Sequence, residues 1–271
     1  MLYIYLINGI DFKMLKDQTY CDITVVIPTY NSEKFIYETI MSVINQNLKP
    51  MEIIIIDDHS SDNTIDVIEA IFQKYNITNY TIYRQKKLGP GAARNKGIKE
   101  AKTKWISFLD SDDFWFHNKL EKVHEWIIKN PESNFFCNNE IEIGLNKQEK
   151  LNNYVSDFDF QKSIIKQVYQ KNYFSTSATT CSRKLLMDFG GFNESLSSAQ
   201  DYELWLRISP KLNPIFITEP LGYYVMRMGN ISTTQYWKRL KNFIIVKWIH
   251  RRKVSKTAFI SNLVKHVLFH L

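Results

Sequence analysis

The segment Phe108-Leu109-Asp110-Ser111-Asp112-Asp113 constrains this chain more than any other. It places three carboxylates within four residues, directly after the apolar run Trp105-Ile106-Ser107-Phe108-Leu109. Carboxylates that close repel one another, and gathering them is costly without a cation. The apolar run predicts a short buried strand with the acidic cluster at its carboxyl end, which is where ligands bind in an open α/β sheet. The pattern points to a divalent metal holding a phosphorylated ligand. Its plainer alternative is a solvated Asp-rich turn capping the next helix.

The surrounding pattern favours a sheet of that kind. Ile23-Thr24-Val25-Val26-Ile27 is a β-branched run ended by Pro28, and a helix is expected from about Glu33, with Ile36, Ile40, Val43 and Ile44 on one face and Asn31 or Ser32 as its cap. Glu52-Ile53-Ile54-Ile55-Ile56 reads as a strand buried on both faces and ends in Asp57-Asp58. A second helix, capped around Ser61 or Asp62, carries Ile65, Ile68, Ile71, Phe72 and Tyr75 at helical spacing. The strand Thr81-Ile82-Tyr83 leads through Gly89-Pro90-Gly91 into a helix reaching Ala101, and Trp105 to Leu109 is the fourth strand. Alternation of this kind predicts a doubly wound, mostly parallel α/β sheet.

The second half is less regular. The sequence predicts a helix from about Asn118 to Lys129, a polar excursion over 144–172 with one helix inside it, and a small strand from Ser177 to Cys181. A short helix ends at Gly190-Gly191, another surrounds Asp201 to Arg207, and strands are expected at Ile215-Phe216-Ile217 and from Gly222 to Met226. Four regions follow: an N-terminal extension over 1–20, a nucleotide-binding half over 21–130, an acceptor and base half over 131–232, and a basic tail over 233–271.

The 271 residues suffice for a substantial core, and 44% hydrophobic with 23% charged residues is ordinary for a soluble globular protein. No stretch has the length of a membrane span. Met1 to Ile10 lacks the basic leader and cleavage site of a signal peptide. Three widely spaced cysteines, Cys21, Cys137 and Cys181, suggest a reducing compartment and no zinc site. A cytoplasmic protein is expected.

The net charge of +7 is unevenly placed. From Tyr236 to Leu271 there are nine Lys or Arg and no acid, whereas the rest holds 26 basic against 28 acidic residues. Mixed with Trp237, Phe243, Val246, Trp248 and Ile249, these cations have the composition of a helix lying on an anionic membrane surface. A helix packed on the domain with a solvated basic face explains them equally. No nucleic-acid-binding fold accompanies the basic tail, so no nucleic-acid partner is expected.

Three further constellations bear on chemistry. In a parallel sheet, Asp57-Asp58 and Asp110-Ser111-Asp112 share one edge, and together they describe a site for a nucleotide diphosphate. Gly89-Pro90-Gly91-Ala92-Ala93-Arg94-Asn95 is a glycine-rich helix start that suits an anion, though it matches neither the dinucleotide fingerprint nor the P-loop. Asp201, at the start of a helix, is a candidate general base, and the helix N-terminus is expected to keep it ionised.

These pieces jointly resemble the family 2 glycosyltransferases, inverting enzymes of the GT-A fold. The matching residues are Val25 to Asn31, Ile54 to Asp58 with Ser60 to Thr64, Gly91 to Asn95, Phe108 to Asp113, and Gly190-Gly191-Phe192 followed by Gln200-Asp201 and Leu204-Trp205-Leu206-Arg207. The likeness covers roughly residues 21 to 232. It implies that Pro28, Thr29 and Tyr30 line a nucleotide pocket, that Asp57 and Asp58 serve the base, with Asp58 on uracil, and that Arg94, Asp110 and Ser111 bind the nucleotide. Asp110 and Asp112 would form a DxD motif holding Mn²⁺ or Mg²⁺. Asp201 would deprotonate the acceptor hydroxyl.

The implied reaction moves a sugar from a nucleotide sugar, UDP-linked by expectation, to a glycan or lipid-linked glycan of bacterial surface polysaccharide or lipopolysaccharide. The chain departs from the family pattern at His59, usually glycine, at His117, commonly proline, and at Gln200, commonly glutamate. Where many members carry arginine then histidine it has Tyr224-Val225-Met226-Arg227, so the resemblance leaves Arg227 as a candidate diphosphate contact that cannot ligate metal. The competing functions are a nucleotidyltransferase, which needs a basic Gly-rich loop near the N-terminus, and a binding module without chemistry. Intact Asp110, Asp112 and Asp201 speak against the latter.

Overall fold

The computed structural model describes residues 19–156, 158–228 and 236–268, so the expected N-terminal extension lies almost wholly outside the described residues. The chain opens with β1 (Tyr20–Thr29), α1 (Ile36–Ile44), β2 (Lys49–Asp57), α2 (Thr64–Lys74), β3 (Tyr80–Arg84), α3 (Pro90–Glu100) and β4 (Trp105–Phe108). β1 pairs in parallel with both β2 and β4, and β2 pairs in parallel with β3. Helix α1 buries Ile36, Ile40, Val43 and Ile44 as the spacing predicts. Its cap differs: helical geometry starts only at Ile36, and the Ser32 carbonyl takes the Phe35 and Ile36 amides at 2.9 Å. At α2 the Asp62 Oδ1 accepts the Thr64 amide at 3.1 Å.

The chain continues through β5 (Phe114–Trp115), α4 (Lys119–Lys129), β6 (Phe135–Ile143), β7 (Glu149–Asn152), α5 (Ile164–Gln170), β8 (Thr179–Ser182), α6 (Arg183–Asp188), α7 (Gln200–Ile208), β9 (Pro214–Val225), α8 (Tyr236–Ile249) and α9 (Lys256–Leu268). Among the described residues the strands form one sheet in the order β3-β2-β1-β4-β8-β6-β9-β5, with β7 on β6. The second half is mixed: β8 runs antiparallel to β4 and β6, while β6 and β9 are parallel. Two strands expected at 215–217 and 222–226 are one, whose register against β6 shifts near Asn139. Strands β5, β6 and β7 were not expected.

Side chains alternate between two cores. Ile23, Val25, Ile27, Ile53 and Ile55 face α1, α2 and α4, whereas Val26, Ile54 and Ile56 face α3 and the second-half helices. Burial on both faces is why these strands read as continuous apolar runs. Gly97 shows how closely α3 packs, since a Cβ there would collide with Val26. The three cysteines are free and buried. No helix among the described residues is long and apolar enough to cross a membrane. The consequence for function is that the carboxyl ends of β1, β2 and β4 share one edge.

Candidate functional site

At the ends of β1 and β2, Thr29 stands opposite Asp57. Pro28 and Thr29 are buried in the strand, so of the three residues expected to line a pocket only Tyr30 presents its side chain outward, at 41% exposure. The Lys87 ammonium lies 4.0 Å from the Tyr30 ring centre and 2.6 Å from its hydroxyl. Asn31 adopts a left-handed backbone, φ 49°, and joins the neighbouring loop instead of capping α1. Its amide donates to Ser60 Oγ and its Oδ1 accepts from the Ser61 amide, both at 2.9 Å.

The acidic pair divides. The Asp57 side chain is fully buried and takes the Ser60 amide at 3.2 Å and Arg84 Nε at 3.2 Å, so it shapes the turn and offers no accessible oxygen. Asp58 accepts from Gln85 Nε2 and the Leu88 amide at 2.8 Å, and from the Gly89 amide at 2.7 Å. It thereby fixes the start of α3, where Gly89 has φ 94°. His59 also has positive φ, 72°, which accounts physically for a glycine being common there.

The acidic turn after β4 separates its three charges. Asp113 is buried, with Oδ1 accepting from the Val225 amide at 2.8 Å and Oδ2 from Ser177 Oγ at 2.6 Å. Burial, then the charges of Asp112, Glu140 and Asp110, push its carboxyl well above the usual range. Ser177 Oγ also accepts the Asp110 amide at 3.1 Å, so one serine ties the turn to the start of β8. Thr39 donates to the carbonyls of Ser111 and Asp113 at 2.9 and 2.8 Å, and Ser111 Oγ lies 2.7 Å from Ser32 Oγ.

Asp110 and Asp112 are left outermost. Asp110 Oδ1 takes Arg94 Nη2 at 2.5 Å and its side chain keeps 32% exposure. Arg227, stacked 4.2 Å over the Phe35 ring, donates Nη2 to the Asp112 carbonyl at 3.1 Å and so stands beside this turn. Among the described residues no three His, Cys, Asp or Glu side chains converge into a ready-made metal cage. The partly exposed Asp110 carboxylate, with Asp112 on the same partly exposed turn, fits Mg²⁺ or Mn²⁺ of the kind that takes its remaining ligands from water and substrate phosphates. Arg94 Nε is buried without a hydrogen-bond partner among the described residues, an orphan donor suited to an anionic ligand.

Asp201 opens α7, just after Ala199 in a left-handed conformation, φ 59°. Asn172 Nδ2 donates to its Oδ2 at 3.1 Å. Contrary to the expectation from the helix start, its pKa is raised. Burial pushes it up, Asp110 adds to the rise, and the Tyr202 amide, the Arg94 charge and Asn172 offset this only in part. Asp201, Arg94 and Asp110 therefore act on one another across the two halves of the chain.

The glycine-rich start of α3 is the link between those halves. Asn95 accepts the Phe192 amide at 2.6 Å and donates to the Phe192 carbonyl at 2.8 Å. A Cβ on Gly191, which has φ 67°, would collide with the Asn95 side-chain Oδ1. Gly91 leaves room for Gln200 Cγ, which would lie 3.4 Å from an added Cβ. Sequence reasoning missed Asn95, Asn172, Asp113 and Ser177 as organising residues. Only Asn95 and Asp113 carried a signal, as members of the matched motifs.

Comparison with known proteins gives one consistent grouping. The family model described as "Glycosyl transferase family 2" matches residues 24–190. The chain is 30% identical over 260 residues to the Escherichia coli protein named UDP-Glc:alpha-D-GlcNAc-diphosphoundecaprenol beta-1,3-glucosyltransferase WfaP, covering 90% of this chain and 95% of that one. A glycosyltransferase of Rickettsia bellii is 29% identical over 206 residues, but the match spans 76% of this chain and only 28% of that protein. Among solved structures, TarS 1-349 of S. aureus in complex with UDP superposes with a TM-score of 0.66 at 21% identity, over 90% of this chain and 70% of that one. The mannosyltransferase PcManGT of Pyrobaculum calidifontis, in complex with GDP-Man and Mn2+, gives 0.65 at 18% identity, over 94% and 73%. The fold is GT-A.

Proposed function

The chain belongs to glycosyl transferase family 2, and from that premise we propose that it is an inverting glycosyltransferase that moves a sugar from a UDP-sugar to a hydroxyl of a lipid-linked glycan in bacterial surface polysaccharide synthesis. The observation that supports this reading is the 2.5 Å ion pair of Arg94 with Asp110, whose two charges both act on the buried Asp201 carboxyl. The WfaP relative, matched over nearly its whole length, is named for a UDP-glucose donor and a diphosphoundecaprenol-linked acceptor, and this supports both substrate classes.

Asp201 takes the proton of the acceptor hydroxyl, and burial makes it a stronger base than an ordinary carboxylate. The acceptor oxygen bonds to the anomeric carbon from the face opposite the diphosphate. The bond from that carbon to the diphosphate oxygen breaks, and its electron pair leaves with UDP. An α-linked donor gives a β-linked product. Arg94 and Arg227 meet the negative charge of the diphosphate, and Tyr30 and Asp58 take the uracil. Asp110 and Asp112 would hold Mn²⁺ or Mg²⁺, which would supply positive charge to the same diphosphate. With two polar clamps and a positioned base, orientation accounts for much of the rate.

The last helices support attachment to an anionic membrane on its cytoplasmic side. Trp237 and Trp248 are 71% and 56% exposed amid Lys and Arg, an arrangement that suits a lipid headgroup region. The tail's final residues, 269–271, lie outside the described residues. A panel of nucleotides and nucleotide sugars, each with Mn²⁺ and with chelator, tests the donor site by thermal stabilisation. A ligand at ~100 times its dissociation constant adds ~2.7 kcal/mol. Metal-dependent stabilisation by UDP and a UDP-sugar is expected, and stabilisation by a different nucleotide alone would move the donor assignment.

A further inference from the structure

We infer that the C-terminal helix α8 belongs to the catalytic apparatus, holding the turn that aims Asp201, with Asn242 as its positioning residue. The inference rests on the reading of Asp201 as the base. Ala199, immediately before Gln200-Asp201, has φ 59° and ψ 22°, a left-handed conformation that residues with a Cβ avoid. Such a residue persists only where its surroundings over-determine it. Here a single helix grips the chain on both sides of it.

Before Ala199, the buried Asn242 donates Nδ2 to Ser197 Oγ at 3.0 Å and to Ser198 Oγ at 2.9 Å. After it, the Phe243 ring stacks on Tyr202 at 5.1 Å with planes 7° apart. One turn on, Lys247 donates Nζ to the Tyr169 carbonyl, which also accepts from the Tyr202 hydroxyl at 2.8 Å. Tyr169 answers with its own hydroxyl on the Lys247 carbonyl at 2.9 Å. Further along, His250 Nε2 lies 3.0 Å from Glu203 Oε1, both side chains buried, and Lys253 Nζ reaches the Leu206 carbonyl at 2.9 Å.

Asn242 and Val246 of α8 and His250 just past its end recur every four residues and so lie along one face, with Val246 fully buried between the two polar anchors. These contacts run along the chain from Ser197 to Leu206, and Asp201 lies midway in that stretch. The hydroxyls of Ser197 and Ser198 both take their bonds from Asn242, which ties the chain just before the turn to α8. A helix that served only to cover the core would need Val246 and Phe243 and nothing aimed at the loop before Ala199.

The test uses the full chain with Asn242→Ala, UDP-glucose as donor probe and a GlcNAc-diphospho-lipid acceptor, together with a ¹³C-carboxyl NMR titration of Asp201 that needs neither. The expected result is a kcat lowered on the order of 10- to 100-fold with donor KM held within about twofold, and an Asp201 midpoint that moves down toward the ordinary carboxylate value. A lower melting temperature with unchanged kcat and unchanged Asp201 titration would overturn the inference and leave α8 a structural cover. Should Asn242→Ala not fold, Phe243→Leu is read by the same two measurements. Full transfer by Asp201→Asn would instead overturn the base reading, and the Asp201 titration in Asn242→Ala would still decide whether α8 sets its environment.

Discussion

Arg94 meets Asp110 through a 2.5 Å contact from Nη2 to Oδ1, and the charge of the same guanidinium draws down the pKa of Asp201, in the second half of the chain. One buried cation thus serves a residue of each half. The contact leaves Arg94 Nε without a partner among the described residues and Asp110 with an oxygen to spare. Arg94→Lys keeps a point charge but loses the fork. A charge-assisted hydrogen bond is worth about 1.5–3 kcal/mol, so UDP binding in the presence of Mn²⁺ is expected to weaken at least tenfold in calorimetry. Binding unchanged in Arg94→Lys would remove Arg94 from the diphosphate site.

With Asp201 as the proposed base, the pH dependence of transfer is expected to follow its carboxyl. Its raised pKa places the acidic limb of the rate above the usual carboxylate range. Asn172 donates to the ionised carboxylate and holds the value down. Asn172→Ala removes that donor, so the acidic limb moves to higher pH, readable in a kcat profile between about pH 4 and 8. A limb that stays in place or moves the other way contradicts the assignment.

His59 is a local cost that the chain carries at the donor loop. With φ at 72° it sits where side chains with a Cβ are disfavoured by about 1–2 kcal/mol. Glycine relieves that strain and gives back about 0.5–1 kcal/mol in chain entropy. His59→Gly is therefore expected to stabilise the protein by up to about 1 kcal/mol in urea unfolding, and a loss of stability would mean the imidazole makes contacts that outweigh the strain.

Glu203 links stability to pH. Burial alone would raise its carboxyl, but hydrogen bonds from His250 and Arg207 outweigh it and hold the value at about 2. A depressed folded-state pKa gives stability that is present above the unfolded value, about 4.3, and is lost as pH falls toward the folded one. The advantage of the wild type over Glu203→Gln is on the order of 2–3 kcal/mol at neutral pH and should shrink steadily below about pH 4.5. A difference independent of pH down to 3 would show that packing, not ionisation, makes the contribution.

The parallel half of the fold was legible because its strands are buried on both faces and its helices carry clean apolar stripes. Val25, Ile54 and Ile40 announce their roles. The mixed half was not, and β6 shows why. Its central residues Asn138, Asn139 and Glu140 are polar, so no hydrophobic period marks it, yet all three are buried. Lys119 Nζ satisfies Asn138 at 2.6 Å, Asn139 takes the Tyr154 amide at 2.9 Å, and Tyr154 donates to Glu140 at 2.8 Å. Partners that distant in sequence cannot be read locally.

The site divided along the same line. Asp110, Asp112 and Asp201 stood out as carboxylates at element ends, Arg94 pairs with Asp110, and Arg227 donates to the Asp112 carbonyl. What the residue types could not tell was which acids turn inward. Asp57 and Asp113 are buried and hold turns together, while Asp110 and Asp112 are left outermost. Nor could the sequence show that Asn95 clamps the Phe192 loop or that Asn172 reaches Asp201, since single asparagines in loops carry no pattern.

The central claim is that Asp201 takes the acceptor proton. The most direct measurement is the initial rate of sugar transfer by Asp201→Asn beside the wild type, with UDP binding measured on the same preparation. A positioned general base contributes ~10²–10⁴-fold, so the account predicts a rate lower by about that factor with UDP affinity within about twofold. A variant that transfers sugar within about threefold of the wild-type rate, again with intact UDP binding, would contradict it.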